Sequence, residues 1–171
     1  QIILVTGATA GIGRETMRVL AMRGAHVLAT GRTVEKVIAA SNKMPGKITP
    51  LALELTNLTS VNRCTSTVLE AGLLPDTVIC NAGIYPFGHL ELVSGIEKVF
   101  FANFLGHFAL INDLLPTMLE RGSGKFVHVS STRPINRPQH AASTLTTCAV
   151  KASSMREKLM ADQNWLARFF L

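Results

Sequence analysis

The sequence is poor in cysteine, tyrosine and tryptophan, with three, one and one of them respectively. The cysteines, Cys64, Cys80 and Cys148, are odd in number and lack metal-ligand spacing, so neither a disulfide framework nor a metal site is expected. They are typical of reduced thiols in a cytoplasmic protein. The sequence shows no secretory-leader pattern, so we expect no leader, and no apolar run reaches the length of a bilayer span. We therefore expect no integral membrane segment.

Acidic residues are scarce in the last part of the chain, which explains the formal net charge of +6. Residues 1–120 contain nine basic and nine acidic residues, whereas residues 121–171 contain eight basic and two acidic ones. The basic residues are scattered and lack interleaved aromatic residues, so we do not expect nucleic-acid binding. A solvated face is one interpretation of the excess, and attraction of an anionic cofactor or substrate is the other.

Short apolar runs alternate with longer amphipathic segments along the 171 residues, of which 47% are hydrophobic. This pattern predicts an α/β fold with a Rossmann-type, doubly wound parallel sheet in a single domain over residues 1–171. Gly24 and Gly72 are predicted to end the first and third helices. The predicted strands are 2–5, 25–29, 48–54, 76–80 and 124–130, and the predicted helices are near 12–23, 33–42, 58–71 and 95–120.

The segment 95–122 is dense in Phe and Leu, but polar residues interrupt it, and four of them lie in its interior. They are Asn103, His107, Asn112 and Asp113. The pattern favours a buried helix over a membrane span, and it suggests a subunit interface in a homodimer or homotetramer.

The glycine-rich segment TGATAGIG, residues 6–13, lies between the first predicted strand and the first predicted helix. Gly7, Gly11 and Gly13 allow backbone N–H groups to approach a pyrophosphate at the helix N-terminus. A glycine-rich turn without a ligand is the alternative interpretation. The position directly after the first strand of an alternating chain favours nucleotide binding.

The end of the second predicted strand, ATGRT, indicates which nucleotide is bound. An acid near this position binds the ribose hydroxyls of NAD(H), whereas an arginine accepts the 2′-phosphate of NADP(H). Gly31 and Arg32 occur here, and the next acid is Glu35. This arrangement predicts NADP(H) rather than NAD(H), with a solvated Arg32 as the alternative.

Four motifs occur in an order that resembles the short-chain dehydrogenase/reductase family: TGATAGIG, CNAG at 80–83, FFANFLGHFAL at 100–110 and FVHVSS at 126–131. LGHFAL and TGRTVEK are similar to its retinol-dehydrogenase-like members, and the resemblance covers residues 2–155. It implies an oxidoreductase that transfers a hydride between NADP(H) and a small carbonyl or alcohol substrate. The cofactor-binding residues that it implies are Thr6, Gly7, Gly11, Ile12, Gly13, Arg32, Glu54, Leu55, Asn81, Ala82, Gly83 and Lys151.

The resemblance also implies a catalytic asparagine, serine, tyrosine and lysine, of which Asn103, Ser131 and Lys151 match three. Asn103 would keep the geometry of the proton relay, Ser131 would polarise the substrate oxygen, and Lys151 would hold the ribose. Thr147 takes the place of the tyrosine, four residues before the lysine on one face of a helix. A threonine hydroxyl is a far weaker acid than a phenol, and losing a positioned acid typically costs about 10²- to 10⁴-fold in rate. The one tyrosine, Tyr85, follows CNAG and is the next candidate acid.

Three hypotheses follow from this departure at Thr147. The protein is an oxidoreductase, or it is a nucleotide-binding sensor or scaffold that no longer catalyses, or a tyrosine-bearing segment around residues 132–150 is missing from this sequence. The chain begins at Gln1 without a methionine and ends at RFFL without the last strands that the resemblance implies. We therefore expect that the C-terminal part is truncated.

Overall fold

The structure is a computed structural model. It describes residues 1–85 and 90–130 in full and the backbone of residues 131 and 143–151. Strands and helices alternate strictly in the first half of the chain, as the hydrophobic pattern predicts. These elements are β1 (Ile2–Val5), α1 (Gly11–Met22), β2 (His26–Gly31), α2 (Val34–Ser41), β3 (Lys47–Ala52), α3 (Leu58–Glu70) and β4 (Thr77–Cys80).

The second half contains a short hairpin, a long helical segment and two longer strands. The hairpin is β5 (Leu92–Val93) and β6 (Ile96–Glu97), and the strands are β7 (Ser123–Ser131) and β8 (Ser143–Lys151). The helical segment consists of α4 (Lys98–Phe100), a π-helical turn (Phe101–Leu105) and α5 (Gly106–Arg121). In the π-helical turn, the Gly106 N–H donates to the carbonyl of Phe101, five residues earlier.

The main strands of the described residues form one sheet in the order β3-β2-β1-β4-β7-β8. The first five are parallel, and β8 is antiparallel to β7. The predicted Rossmann-type sheet is therefore confirmed, and β8 adds an antiparallel edge strand that the sequence did not predict. Gly24 and Gly72 end α1 and α3 with left-handed φ angles of 84° and 65°, in agreement with their predicted role.

Apolar clusters cover both faces of the sheet. Val5 and Val27 pack with Met17 of α1 on one face, whereas Leu4 packs with Leu110 of α5 on the other. Adjacent residues of β1 thus point to opposite faces, as in any strand buried on both sides. This arrangement leaves the carboxyl ends of the parallel strands free to form a site at one edge of the sheet.

The helical segment Lys98–Arg121 is long and apolar enough, by length and composition, to cross a membrane. The core helix of a folded domain can meet the same criterion, so the expectation of no integral membrane segment stays a prediction. Leu110, Leu114 and Met118 of this segment are fully buried against the sheet and α3. Part of its apolar surface is therefore used in packing the core, as predicted for a buried helix.

Residues 143–151 form strand β8, where the resemblance implies a helix that carries Thr147 and Lys151. Thr147 lies opposite Val127, and Lys151 lies opposite Ser123. The sequence STLTTCAVK is rich in β-branched residues, which favour strands. β8 also supplies the hydrogen-bonding partner that β7 would lack as an edge strand. The expectation of a helix at these positions is therefore wrong.

Candidate functional site

A cleft of about 670 Å³ opens at the carboxyl edge of the sheet, next to the ends of β1, β2, β3 and β4. Ligands of open α/β sheets bind in such a crevice. Every predicted cofactor-binding residue except Lys151 lines this cleft. These residues are Thr6, Gly7, Gly11, Ile12, Gly13, Arg32, Glu54, Leu55, Asn81, Ala82 and Gly83.

The glycine-rich turn lies so close to the end of β4 that two of its glycines have no room for a side chain. Gly7 has a left-handed φ of 66°, and a Cβ there would lie 2.9 Å from the Cα of Ala82. A Cβ on Gly13 would lie 2.2 Å from the carbonyl oxygen of Gly7 and 2.4 Å from Nδ2 of Asn81. α1 begins at Gly11, so its first backbone N–H groups are available to an anion in the cleft.

The hydroxyl of Thr6 connects the end of β1 to the residues after β4. The backbone N–H groups of Asn81 and Ala82 each donate to Oγ1 of Thr6 at 2.9 Å. Nδ2 of Asn81 donates to the Thr6 carbonyl at 3.0 Å. Thr6 is fully buried. This threonine therefore fixes the CNAG segment against the glycine-rich turn.

Among the described residues that line the cleft, basic side chains outnumber acidic ones. Arg32, Lys36 and Lys98 are the basic residues, and Glu54 is the acidic one. Oε1 of Glu54 accepts hydrogen bonds from the N–H and the hydroxyl of Thr56, at 3.1 and 2.8 Å. The charge balance of the cleft suits an anionic ligand.

Lys36 and Lys98 line the cleft, although the sequence analysis did not identify them. Lys36 follows Arg32 by four residues, in the first turn of α2, and this spacing is a signal that could have revealed it. Lys98 begins α4 and forms an ion pair with Glu91. No local motif marks Lys98, because its position depends on the hairpin before it.

Asn103 lies in the π-helical turn and contacts the chain that follows β4. The N–H of Ile84 donates to Oδ1 of Asn103 at 2.8 Å, and Nδ2 of Asn103 donates to the Ile84 carbonyl at 2.9 Å. Ile84 and Ala102, which precedes Asn103, both line the cleft. The predicted catalytic asparagine therefore borders the site and holds one of its walls.

His107 is buried beneath the cleft, with 4% of its surface exposed. Nε2 of His107 lies 2.9 Å from Oγ1 of Thr6, and Nδ1 lies 3.2 Å from the carbonyl oxygen of Asn103. Burial lowers the pKa of His107 to about 4, because the charged form loses its hydration. The hydrogen bond to the Asn103 carbonyl raises this pKa, and the nearby His128 lowers it further. The imidazole is therefore neutral near pH 7.

The structure does not bring the other predicted catalytic residues together. Ser131 ends β7 at the cleft edge of the sheet, opposite Ser143 of the antiparallel β8. Lys151 pairs with Ser123 at the other end of β7, eight positions from Ser131. At about 3.3 Å per residue, that separation is about 26 Å. Thr147 pairs with Val127 between them. Contrary to the resemblance, Lys151 is thus placed away from the cleft, and the roles assigned to Ser131, Thr147 and Lys151 stay predictions.

Comparison with known proteins relates this geometry to a family. A family model described as short chain dehydrogenase matches residues 1–147. Retinol dehydrogenase 13 from Homo sapiens is 32% identical over 134 residues, which cover 75% of this chain and 40% of that protein. Short-chain dehydrogenase TIC 32 A, chloroplastic, from Brassica napus is 38% identical over 141 residues, with 75% and 43% coverage.

A solved structure shares the fold of this chain. The crystal structure of a metagenomic short-chain oxidoreductase in complex with NADP superimposes with a TM-score of 0.71 at 27% identity, over 83% of this chain and 67% of that chain. The chain spans about 40% of the length of the curated relatives it matches. The residues matched by the family model contain every residue that lines the cleft. The resemblance predicted from the four motifs is confirmed, and the chain belongs to the short-chain dehydrogenase/reductase family of oxidoreductases.

Proposed function

We propose that the protein binds NADP(H) in preference to NAD(H) in the cleft and transfers a hydride to or from a carbonyl or alcohol substrate. The observation that carries the cofactor preference is the packing around Gly31, next to Arg32. A Cβ on Gly31 would lie 2.5 Å from Cγ2 of Thr9 and 2.9 Å from Cγ2 of Val37. An acidic side chain therefore does not fit at this position, where it would bind the ribose and repel a 2′-phosphate.

Positive charge supports the same preference. Arg32 and Lys36 line the cleft beside the end of β2. A guanidinium group matches the geometry of a phosphate, and an ammonium group adds a second positive charge. The NADP bound by the metagenomic relative is consistent with this choice.

The described residues also fit the rest of a dinucleotide. The bare backbone of Gly7 and Gly13 and the first N–H groups of α1 are suited to a pyrophosphate. When bound, NADP(H) supplies or accepts the hydride. Asn103 keeps Ile84 in place at the wall of the cleft. Ser131, at the end of β7, is the residue proposed to polarise the substrate oxygen.

A second candidate function is a nucleotide-binding member of the family that does not catalyse and acts as a sensor or scaffold. The observation that favours it is the pairing of β8 with β7, because Lys151 and Ser131 lie at opposite ends of β7. In this arrangement the chain can complete a cofactor cleft without assembling a proton relay. Both candidates share the nucleotide site and differ in turnover.

The cofactor preference is tested by titration calorimetry with NADPH and NADH. We expect the unchanged protein to bind NADPH at least about 10-fold more tightly than NADH, since a charge-assisted phosphate contact contributes about 1.5–3 kcal/mol. Arg32→Ala should lose that preference through weaker NADPH binding alone. Arg63→Ala, which removes a charge from α3 without altering the cleft, is the matched control. Equal affinities in the unchanged protein would contradict the assignment.

Turnover distinguishes the two candidate functions. NADPH consumption is measured with a panel of small ketones and aldehydes, and NADP⁺ reduction is measured with the corresponding alcohols. Turnover that depends on substrate supports the oxidoreductase. NADPH binding without turnover across the panel supports the sensor or scaffold.

A further inference from the structure

The hydroxyl of Thr6 has more neighbours than it can accept hydrogen bonds from. A threonine hydroxyl has one O–H donor and two lone pairs. The N–H groups of Asn81 and Ala82 occupy both lone pairs, each at 2.9 Å. The O–H must therefore donate, and its two candidate acceptors are Nε2 of His107 at 2.9 Å and the Ile79 carbonyl at 3.4 Å. The shorter contact has hydrogen-bond length, and the longer one is marginal.

This count determines which nitrogen of His107 carries the proton. Nε2 accepts from Thr6 only if it is unprotonated, and in a neutral imidazole the hydrogen is then on Nδ1. Nδ1 lies 3.2 Å from the carbonyl oxygen of Asn103, which is an acceptor. Both ring nitrogens are thus satisfied by one tautomer. In the opposite tautomer, the Nε2–H would be a third donor facing the Thr6 oxygen, whose lone pairs are already occupied. The unprotonated Nδ1 would then face the Asn103 carbonyl oxygen, one acceptor against another.

The two partners of His107 hold two neighbouring parts of the cleft wall. Thr6 fixes Asn81 and Ala82 through its hydroxyl. Asn103 fixes Ile84 through its side-chain amide. The chain from 81 to 84, which lines the cleft, is therefore held at both ends by residues that His107 connects.

We propose that His107 is a positioning residue for the nucleotide cleft and that its neutral Nδ1–H tautomer joins the hydroxyl of Thr6 to the backbone carbonyl of Asn103. By donating to Nε2, the Thr6 hydroxyl keeps both lone pairs directed at Asn81 and Ala82. The inference rests on the proposed function in one respect, namely that the ligand of the cleft is a nucleotide. His107 itself touches neither cofactor nor substrate.

The first test measures the tautomer directly in the cofactor-free protein. Long-range ¹⁵N–¹H correlation spectra of uniformly ¹⁵N-labelled protein distinguish a protonated ring nitrogen from an unprotonated one. The signal of His107 is assigned by its loss in His107→Gln, since the chain has five histidines. We expect Nδ1 protonated and Nε2 bare at pH 7. A protonated Nε2 would overturn the inference, whatever the stability of any variant.

The second test separates positioning from simple packing. His107→Phe retains the ring volume and removes both nitrogens, whereas His107→Gln retains a side-chain oxygen that can accept from the Thr6 hydroxyl. We expect NADPH affinity to fall about 10-fold in His107→Phe, the effect of one lost buried hydrogen bond, and about 3-fold or less in His107→Gln. In a Thr6→Val background, where the hydroxyl is absent, His107→Phe should cause little further loss.

The outcomes distinguish this inference from the proposed function. Unchanged protein that binds neither NADPH nor NADH contradicts the proposed function, and the tautomer measurement still decides the bond to Thr6. Tight NADPH binding by both the unchanged protein and His107→Phe would overturn the positioning role and leave the proposed function intact. Equal losses of NADPH affinity in His107→Phe and His107→Gln would also overturn it, because a retained acceptor for the Thr6 hydroxyl would then make no difference to binding.

Discussion

The side-chain amide of Asn103 and the backbone of Ile84 form a reciprocal pair of hydrogen bonds across 19 residues of sequence. Oδ1 accepts from the Ile84 N–H at 2.8 Å, and Nδ2 donates to the Ile84 carbonyl at 2.9 Å. Asn103 lies in the π-helical turn, where one extra residue per turn changes the direction of its side chain. The asparagine implied by the resemblance is thus a connection between the long helical segment and the wall of the cleft.

Replacing Asn103 should weaken both the fold and the cleft. Asn103 is exposed rather than buried, so we expect Asn103→Leu to lower the free energy of unfolding by about 1 kcal/mol and not by the larger cost of a buried unpaired group. NADPH affinity should fall as well, because the backbone of Ile84 loses both of its hydrogen bonds to the Asn103 side chain. Urea unfolding and calorimetry measure the two effects. Asn103→Asp, which retains only the acceptor, should lie between Leu and the unchanged residue. A more stable Asn103→Leu with full cofactor affinity would contradict both roles.

The central strands of the sheet could be predicted from the sequence because apolar residues cover both of their faces. The apolar run predicted at 2–5 is β1 itself, and the run predicted at 76–80 contains β4. β5 and β6 have two residues each, which is too short for any hydrophobic period. The π-helical turn could not be predicted, because the bond that accompanies it joins Asn103 to Ile84, far away in sequence. β8 was missed because the resemblance implied a helix there.

The cleft was predictable where a motif specifies backbone geometry. The glycines of TGATAGIG and the residues after β4 line the cleft together, since parallel strands end at one edge of the sheet. Lys98 depends on the hairpin that precedes it, so no spacing rule marks it. His107 was visible as a polar interruption of an apolar helix, but its partner Thr6 lies 101 residues away. Only the folded chain brings the side chains of His107 and Thr6 together.

A methyl group at Gly31 should damage the cleft. A Cβ there would lie 2.5 Å from Cγ2 of Thr9, well below the distance of ordinary carbon contact. We expect Gly31→Ala to lower the free energy of unfolding by about 1–3 kcal/mol and to weaken binding of both cofactors, because Thr9 also lines the cleft. Adding Thr9→Ser removes the nearer methyl and should restore part of the loss. Normal stability and affinity in Gly31→Ala would show that the close contact relaxes freely.

His107 should make stability depend on pH in the acidic range. Its pKa is lowered from 6.5 to about 4 in the folded protein, so between those values the unfolded chain binds a proton that the folded protein does not. Stability therefore falls as the pH is lowered from 6.5 to 4, by up to about 3 kcal/mol from this residue. Denaturant unfolding across this range is the measurement. His107→Gln should show a shallower decline, and His26→Gln, at a less buried site, should change it less. Parallel curves for the unchanged protein and His107→Gln would contradict the shift.

The substitution Thr147→Tyr tests whether a phenol at position 147 can form a proton relay with Lys151. If residues 147–151 formed a helix, the new phenol would lie one turn from Lys151, and carbonyl reduction should rise about 10-fold or more, on the scale that a general acid contributes. In β8, however, positions 147 and 151 are about 13 Å apart along the strand, and Lys151 lies opposite Ser123 rather than Ser131. We therefore expect no gain in NADPH oxidation with small ketones and aldehydes. Thr146→Tyr, at the adjacent position of the same strand, is the matched control. A gain in Thr147→Tyr alone would contradict the pairing of β8 with β7 and restore Lys151 to the active site.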